Sequence, residues 1–267
     1  MRNSLQRYLL ILLCAIAASC NSSYKKIAYF QSLPDTIQVG GAQPIAAYAD
    51  PLIRPDDILS VTVQTVDLRA SAPINESNTG HPSNGDQKPL PGGYLVDKEG
   101  FIELPVAGKV RVGGLTTQGA KEAVRKAASV YFKEPVVNVR FANFRVTVLG
   151  EVSKPATYVL PNEKVTLLEA LGMAGDLTIY GKRENVLLIR EQGTEKKFVR
   201  FNLNETSLFT YPYYYLQPGD VVYVEPGRAK AAASDVGRNR DYSLVASILT
   251  VAATVTAILI TRSNDNR

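Results

Sequence analysis

The alternation of apolar and polar positions divides the chain into segments of different kinds. Arg2 and Arg7 precede an apolar run from Leu9 to Ala18. About ten apolar residues suit the core of a secretory signal and fall short of a bilayer span. The chain then turns polar at Asn21 to Ser23 and stays mixed, which reads as a tether and lead-in over residues 20–47. At Pro55-Asp56 the residues suit the centre of a turn, and Ile58, Leu59, Val61 and Val63 after it form a β-rich run. The phrase returns as Pro218-Gly219-Asp220 followed by Val221, Val222 and Val224: Pro, any residue, Asp, two apolars, one residue, Val. Residues 69–93 are dominated by Ser, Asn, Gly and Pro and predict a long surface loop.

From Tyr94 the pattern is dense. A strand at Tyr94 leads to a turn at Asp97 to Gly100. A second run, Phe101 to Leu104, stops at Pro105, and Val110 and Val112 then alternate with Lys109 and Arg111. After Gly113-Gly114, Thr116 or Thr117 can cap a helix. That helix puts Ala120, Ala123, Val124, Ala127 and Ala128 on one face. Val136 to Phe141 alternates as a strand. Thr166 and Glu169 are spaced as a capping box, opening a helix through Leu171 and Met173 that should stop near Gly175. Val186 to Arg190 and Lys197 to Leu203 predict a second hairpin around Gly193.

Residues 227–241 are small or charged, a linker. Residues 242–261 then run without a charge before Arg262 opens a tail over 262–267. Twenty helical residues cover about 30 Å, the apolar thickness of a bilayer, so this segment predicts a transmembrane helix. Within it Ser243, Ser247, Thr250, Thr254 and Thr261 fall on one side of a helix, and branched aliphatics hold the other. Two readings compete. The hydroxyls can be a helix–helix contact stripe, or they can line the lumen of a pore ringed by several copies, where neutral hydroxyls suit a sugar chain.

Charge and cysteine content narrow the chemistry. The formal net charge is +5. Two arginines and no acids lie in residues 1–19, so a processed chain of 248 residues would carry +3. That is no nucleic-acid footprint, which requires a concentrated basic face. Of Cys14 and Cys20, only Cys20 would survive processing, so no internal disulfide is expected. The single histidine, His81, sits in the polar loop, which rules out a histidine triad or multi-histidine metal site within one chain. Asp56-Asp57 are adjacent carboxylates in a turn. No carboxylate pair can be assigned the separation glycoside hydrolysis requires, and no nucleophile motif, metal-ligand spacing or phosphate-binding glycine loop appears at a usable site. No enzyme activity, catalytic residue, metal or cofactor is expected.

Three resemblances then combine. Ala17-Ala18-Ser19-Cys20 resembles the lipobox of bacterial lipoproteins, with Ala17 where that pattern favours Leu. This implies lipidation at Cys20 after removal of residues 1–19. The order Tyr94-Leu95-Val96, Gly100, Ile102, Leu104-Pro105, Gly108, Val110, Val112, Gly114-Leu115-Thr116, helix and Pro135 to Val139 resembles the polysaccharide-export domain of outer-membrane capsule and exopolysaccharide exporters. Pro55 to Leu59 resembles its opening strand, giving a domain over 48–141 with the 69–93 loop inserted. The segment that opens with Val146 to Leu160 resembles the SLBB domain, a β-grasp-like module, over 142–226; the family usually carries two such modules, and this chain shows one. The implied fold is α+β: two small domains and a C-terminal transmembrane helix.

The family implies a homo-oligomeric ring, an octamer by resemblance, in the outer membrane with its soluble domains facing the periplasm. It would conduct capsular or extracellular polysaccharide. An inner-membrane chain-length regulator, or polysaccharide co-polymerase, would dock on the domain at 48–141. The competing expectation is a periplasmic glycan-binding or adaptor lipoprotein that forms no pore.

Overall fold

The computed structural model describes residues 28–33, 42–78, 91–230, 244–248, 250–251 and 254–255. In chain order the N-terminal module contains β1 (Ile58–Gln64), α1 (Leu68–Glu76), β2 (Tyr94–Leu95), β3 (Phe101–Leu104), β4 (Gly108–Arg111), α2 (Thr117–Ala128) and β5 (Val136–Phe141). The C-terminal module contains β6 (Arg145–Gly150), β7 (Ala156–Val159), α3 (Leu167–Met173), β8 (Gly181–Gln192), β9 (Glu195–Phe201), a 3-10 turn (Thr206–Thr210) and β10 (Val221–Pro226).

Strict alternation makes β1 a half-buried strand: Leu59, Val61 and Val63 are fully buried. It is the centre of an antiparallel sheet ordered β2-β1-β5. β3 and β4 form a separate hairpin. The turn before β3 is held by the Asp97 carboxylate, which accepts from the Phe101 amide at 2.7 Å. Gly100 lies there at φ +85°, with its Cα packed against Gly113; a Cβ on Gly113 would stand 2.7 Å from Gly100 Cα. α2 starts at Thr116, whose hydroxyl accepts from the Gly119 amide. It buries Ala120, Val124 and Ala128 against the sheet, the face its spacing predicts.

The loop expected over residues 69–93 is in part a helix. α1 is capped by Asp67, whose carboxylate accepts from Arg69 N at 3.0 Å, and it buries Ser71 and Ile74 completely. Its polar residues have tertiary work. β2 covers only Ile58 and Leu59 of β1. Beyond it, the side-chain amide of Asn78 pairs with both the N–H and C=O of Val61, at 3.0 and 2.7 Å. Asn75 does the same for Val63, at 2.9 Å on each side. Two asparagines therefore stand in for a missing strand and satisfy a buried sheet edge. Composition suggests solvation because asparagine is polar; only the fold shows that its partner is backbone. Residues 79–90, with His81, lie outside the described residues.

The C-terminal module is a mixed sheet ordered β7-β6-β10-β8-β9, in which β6 and β10 are parallel. The capping box at Thr166 and Glu169 forms reciprocally, and Gly175 at φ +73° follows the end of α3. β8 and β9 form the hairpin expected around Gly193, but β8 begins five residues earlier than Val186, at Gly181. One apolar cluster runs through both modules, joined by the edge-on contact of Phe141 and Phe144, centroids 6.2 Å apart.

The described residues of the lead-in pack on the C-terminal module. Phe30 donates its amide to Leu203 O at 3.1 Å and stacks on Phe209 at 5.4 Å. Ala46 donates to Phe209 O at 2.7 Å. The chain thus packs along the C-terminal module before it enters the N-terminal one.

Candidate functional site

Three places bear on function: the seam between the modules, the corner of the C-terminal module where Tyr29 and Lys230 attach, and the helical segments beyond residue 243.

The seam is built from the repeated phrase. Arg54 N donates to Asp57 Oδ2 at 2.7 Å, and Asp57 N returns to Arg54 O at 3.2 Å. Gln217 N donates to Asp220 Oδ2 at 2.8 Å, and Asp220 N returns to Gln217 O at 3.1 Å. The residue after each proline is left-handed, Asp56 at φ 69° and Gly219 at φ 84°. The echo is therefore a structural repeat, with proline and a left-handed residue at the turn centre, and an aspartate closing each turn before a strand. The two turns meet: Arg54 reaches Gln217 Oε1 at 3.2 Å and Glu191 O at 3.0 Å.

Behind them Arg190 and Asp220 form a buried pair, 4% and 1% exposed. Arg190 Nε and Nη2 reach the carboxylate at 2.9 and 2.6 Å, Nη2 also bonds Tyr215 O at 2.8 Å, and the guanidinium lies over the Tyr213 ring. Burial pushes the Asp220 carboxyl up, and the Arg190 bonds pull against it. Burial likewise raises Asp57, against the bond from Arg54 N. Beside the seam, Lys164 Nζ sits over the rings of Tyr48 and Tyr215, at 5.6 and 5.3 Å. The Tyr48 phenol is pushed up to about 12, first by burial, then by Asp50 and Glu163.

The corner lies at the other end of the same strands. Glu191 at the seam is the last residue but one of β8, whereas Gly181 opens it; Asp220 precedes β10, whereas Gly227 follows it. Here the Tyr29 hydroxyl bonds the Asp176 carboxylate and its ring lies 5.5 Å from the Arg183 guanidinium. Burial, then Asp176, raises the Tyr29 phenol above its ordinary range. Arg183 donates to Gly181 O at 3.2 Å. Thr178 donates to Glu151 Oε2 at 2.9 Å, and Glu151 pairs with Lys230. Gly227 donates to Tyr180 O at 2.7 Å. An open cavity of about 800 Å³ is lined jointly by Gln31 and by Gly227 to Ala229. The lead-in and the departing C-terminal segment are therefore fastened to one network.

Of the residues singled out in the sequence, Ser247, Thr250 and Thr254 lie in helical segments and are exposed. Each hydroxyl bonds a carbonyl of its own helix: Ser247 to Leu244, Thr250 to Ala246, and Thr254 to Thr250 and Val251. Their donors are satisfied locally, which leaves lone pairs to face outward. Cys20, Ser243 and Thr261 lie outside the described residues, as does much of the expected span at 242–261. Among the described residues no helix is long and apolar enough to cross a membrane. Arg190, Asp220, Tyr29, Asp176 and Lys230 were not singled out; only Asp220 had a signal, the repeated phrase.

Two small modules are thus seamed by twin proline turns. Residues 46–142 match the model of polysaccharide biosynthesis/export proteins, and residues 144–224 match the SLBB domain. The chain is 27% identical over 234 residues to the EPS I polysaccharide export outer membrane protein EpsA of Ralstonia solanacearum, covering 77% of this chain and 58% of that protein. It is 33% identical over 106 residues to the EpsA protein of Ralstonia nicotianae, 38% of this chain and 28% of that one. The chain thus spans 58% or less of the curated relatives it matches. Its N-terminal module, residues 46–142, belongs to the polysaccharide biosynthesis/export family, and an SLBB domain follows it.

Proposed function

We propose that this protein is a subunit of a homo-oligomeric outer-membrane channel that exports capsular or extracellular polysaccharide. It is held by lipid on Cys20 and by a terminal membrane helix at 242–261, and its soluble modules face the periplasm. The observation that carries the proposal is the shared corner. Tyr29 and Lys230 are tied into one network, which supports a lipid and a helix that leave the body from one corner. The N-terminal module sits across the seam, at the opposite ends of β8 and β10. Two attachments at one end and a module at the other suit a body hanging beneath one membrane, with the distal module offered to an inner-membrane chain-length regulator. Its role is conduction; the driving force comes from elsewhere.

Single-particle imaging of the full chain in mild detergent tests this. A closed ring with terminal helices bundled at one end is expected, with Ser247, Thr250 and Thr254 on the lumen side. Their spent donors and free lone pairs suit brief contacts with a sliding glycan. A chain that stays monomeric at high concentration would favour instead an adaptor lipoprotein that forms no pore.

A further inference from the structure

We propose that the turn carrying Ile179 and Tyr180 is a membrane-contact face, seated in the lipid interface beside the two attachments, with Arg228 on lipid phosphate. It rests on the reading of those attachments given above.

Ile179 is 69% exposed and Tyr180 is 39% exposed. Their backbone is nonetheless held on three sides. Tyr180 N donates to the Thr178 hydroxyl at 3.2 Å, Gly181 N to Thr178 O at 3.1 Å, and Tyr180 O accepts from Gly227 N. Gly227 has no room for a side chain there, since a Cβ would stand 2.9 Å from Tyr180 O. A rigid turn that presents a large aliphatic and an aromatic to the outside does nothing for its own core. Another exposed aliphatic–tyrosine pair stands at Val130 and Tyr131, so display alone does not select a partner, but tyrosine beside an aliphatic does suit the boundary between headgroups and acyl chains.

The position selects the partner. The cavity bordered by Ile179 and Tyr180 is the one bordered by Gln31 and Gly227 to Ala229. Cys20 lies nine residues before Tyr29, and Tyr242 twelve after Lys230, reaches of about 30 and 40 Å at full extension. A bilayer holding both must therefore lie within about 30 Å of Tyr29. Lys182 is engaged by Glu225 and Lys230 by Glu151. Arg228 is exposed and has no ion-pair partner among the described residues, so it is the cation available to lipid phosphate. Glu184 also lines the cavity, so charge alone does not select the face; the apolar pair together with its place beside both attachments does, and the arginine orients it.

The chain contains no tryptophan, so Tyr180→Trp places a single reporter on the turn. The full chain carrying it would be reconstituted into vesicles of phosphatidylethanolamine and phosphatidylglycerol and floated. Blue-shifted emission, quenched by lipids spin-labelled at a shallow acyl position, is expected. Adding Arg228→Glu should reduce that quenching. Tyr131→Trp, exposed in the N-terminal module, should stay water-like and unquenched. A floated Tyr180→Trp chain whose emission is water-like and unquenched overturns the face alone. A blue-shifted but unquenched signal means a subunit contact and overturns it too. Quenching indifferent to Arg228→Glu removes the phosphate contact. A chain absent from the floated vesicles overturns the reading of the attachments and the face together.

Discussion

Gly150 ends β6 where β10 runs beside it. Its φ is +89°, and a Cβ there would stand 2.0 Å from Val224 O. Backbone cannot yield by that much, so Gly150→Ala should separate the parallel pair at the heart of the sheet and leave little folded protein, checked by circular dichroism of the purified chain. The other costly residues are the buried ions. Removing one partner of a buried pair strands the other charge, at about 3–5 kcal/mol. Asp220→Ala should cost that much in denaturant unfolding in detergent. Arg190→Met should cost a similar amount, and the double variant less than the sum, because the stranded charge is then gone. A strictly additive pair would contradict the coupling.

Asn75 and Asn78 act at the scale of the element. Each covers one N–H and one C=O of β1, and an uncovered buried backbone group costs about 1–3 kcal/mol. Asn75→Ala and Asn78→Ala should each destabilise by about that amount, and the double variant should associate faster in light scattering because a strand edge is open. The C-terminal segment has its own dependence on pH. The bond from Lys230 holds the Glu151 carboxyl below the ordinary glutamate range; burial opposes this and Thr178 supports it. A depressed carboxyl contributes stability above its unfolded value, about 4.3, and loses it as pH falls through the folded value. Protection of the Gly227 and Lys230 amides, taken relative to the intrinsic exchange rate at each pH, should therefore fall below about pH 4, and Glu151→Gln should remove that step.

For the whole molecule, attachment and conduction separate experimentally. Cys20→Ala should release the chain from its normal membrane fraction or misplace it, read by fractionation. Thr250→Glu or Thr254→Glu should alter polysaccharide flux if the stripe faces a lumen, and assembly if it faces a neighbouring helix. Charges there that leave both untouched would exclude both readings of the stripe.

Local pattern was enough for the elements whose signals are local. β1, β5, α2, the capping box of α3 and the hairpin of β8 and β9 follow from alternation, helical spacing and turn residues, which act over a few positions. The proline turns were legible as an echo for the same reason. What only the tertiary structure decided depends on neighbours distant in sequence. Asn75 and Asn78 look like solvated loop residues until β1 lies beside them. Arg190 closes an apolar run and gives no sign that it is buried until Asp220 faces it. Tyr29 and Lys230 lie 201 positions apart, and nothing short of the packed sheet brings them to one corner. Burial and partnership are properties of the assembled core, and those two decided where this chain is fastened.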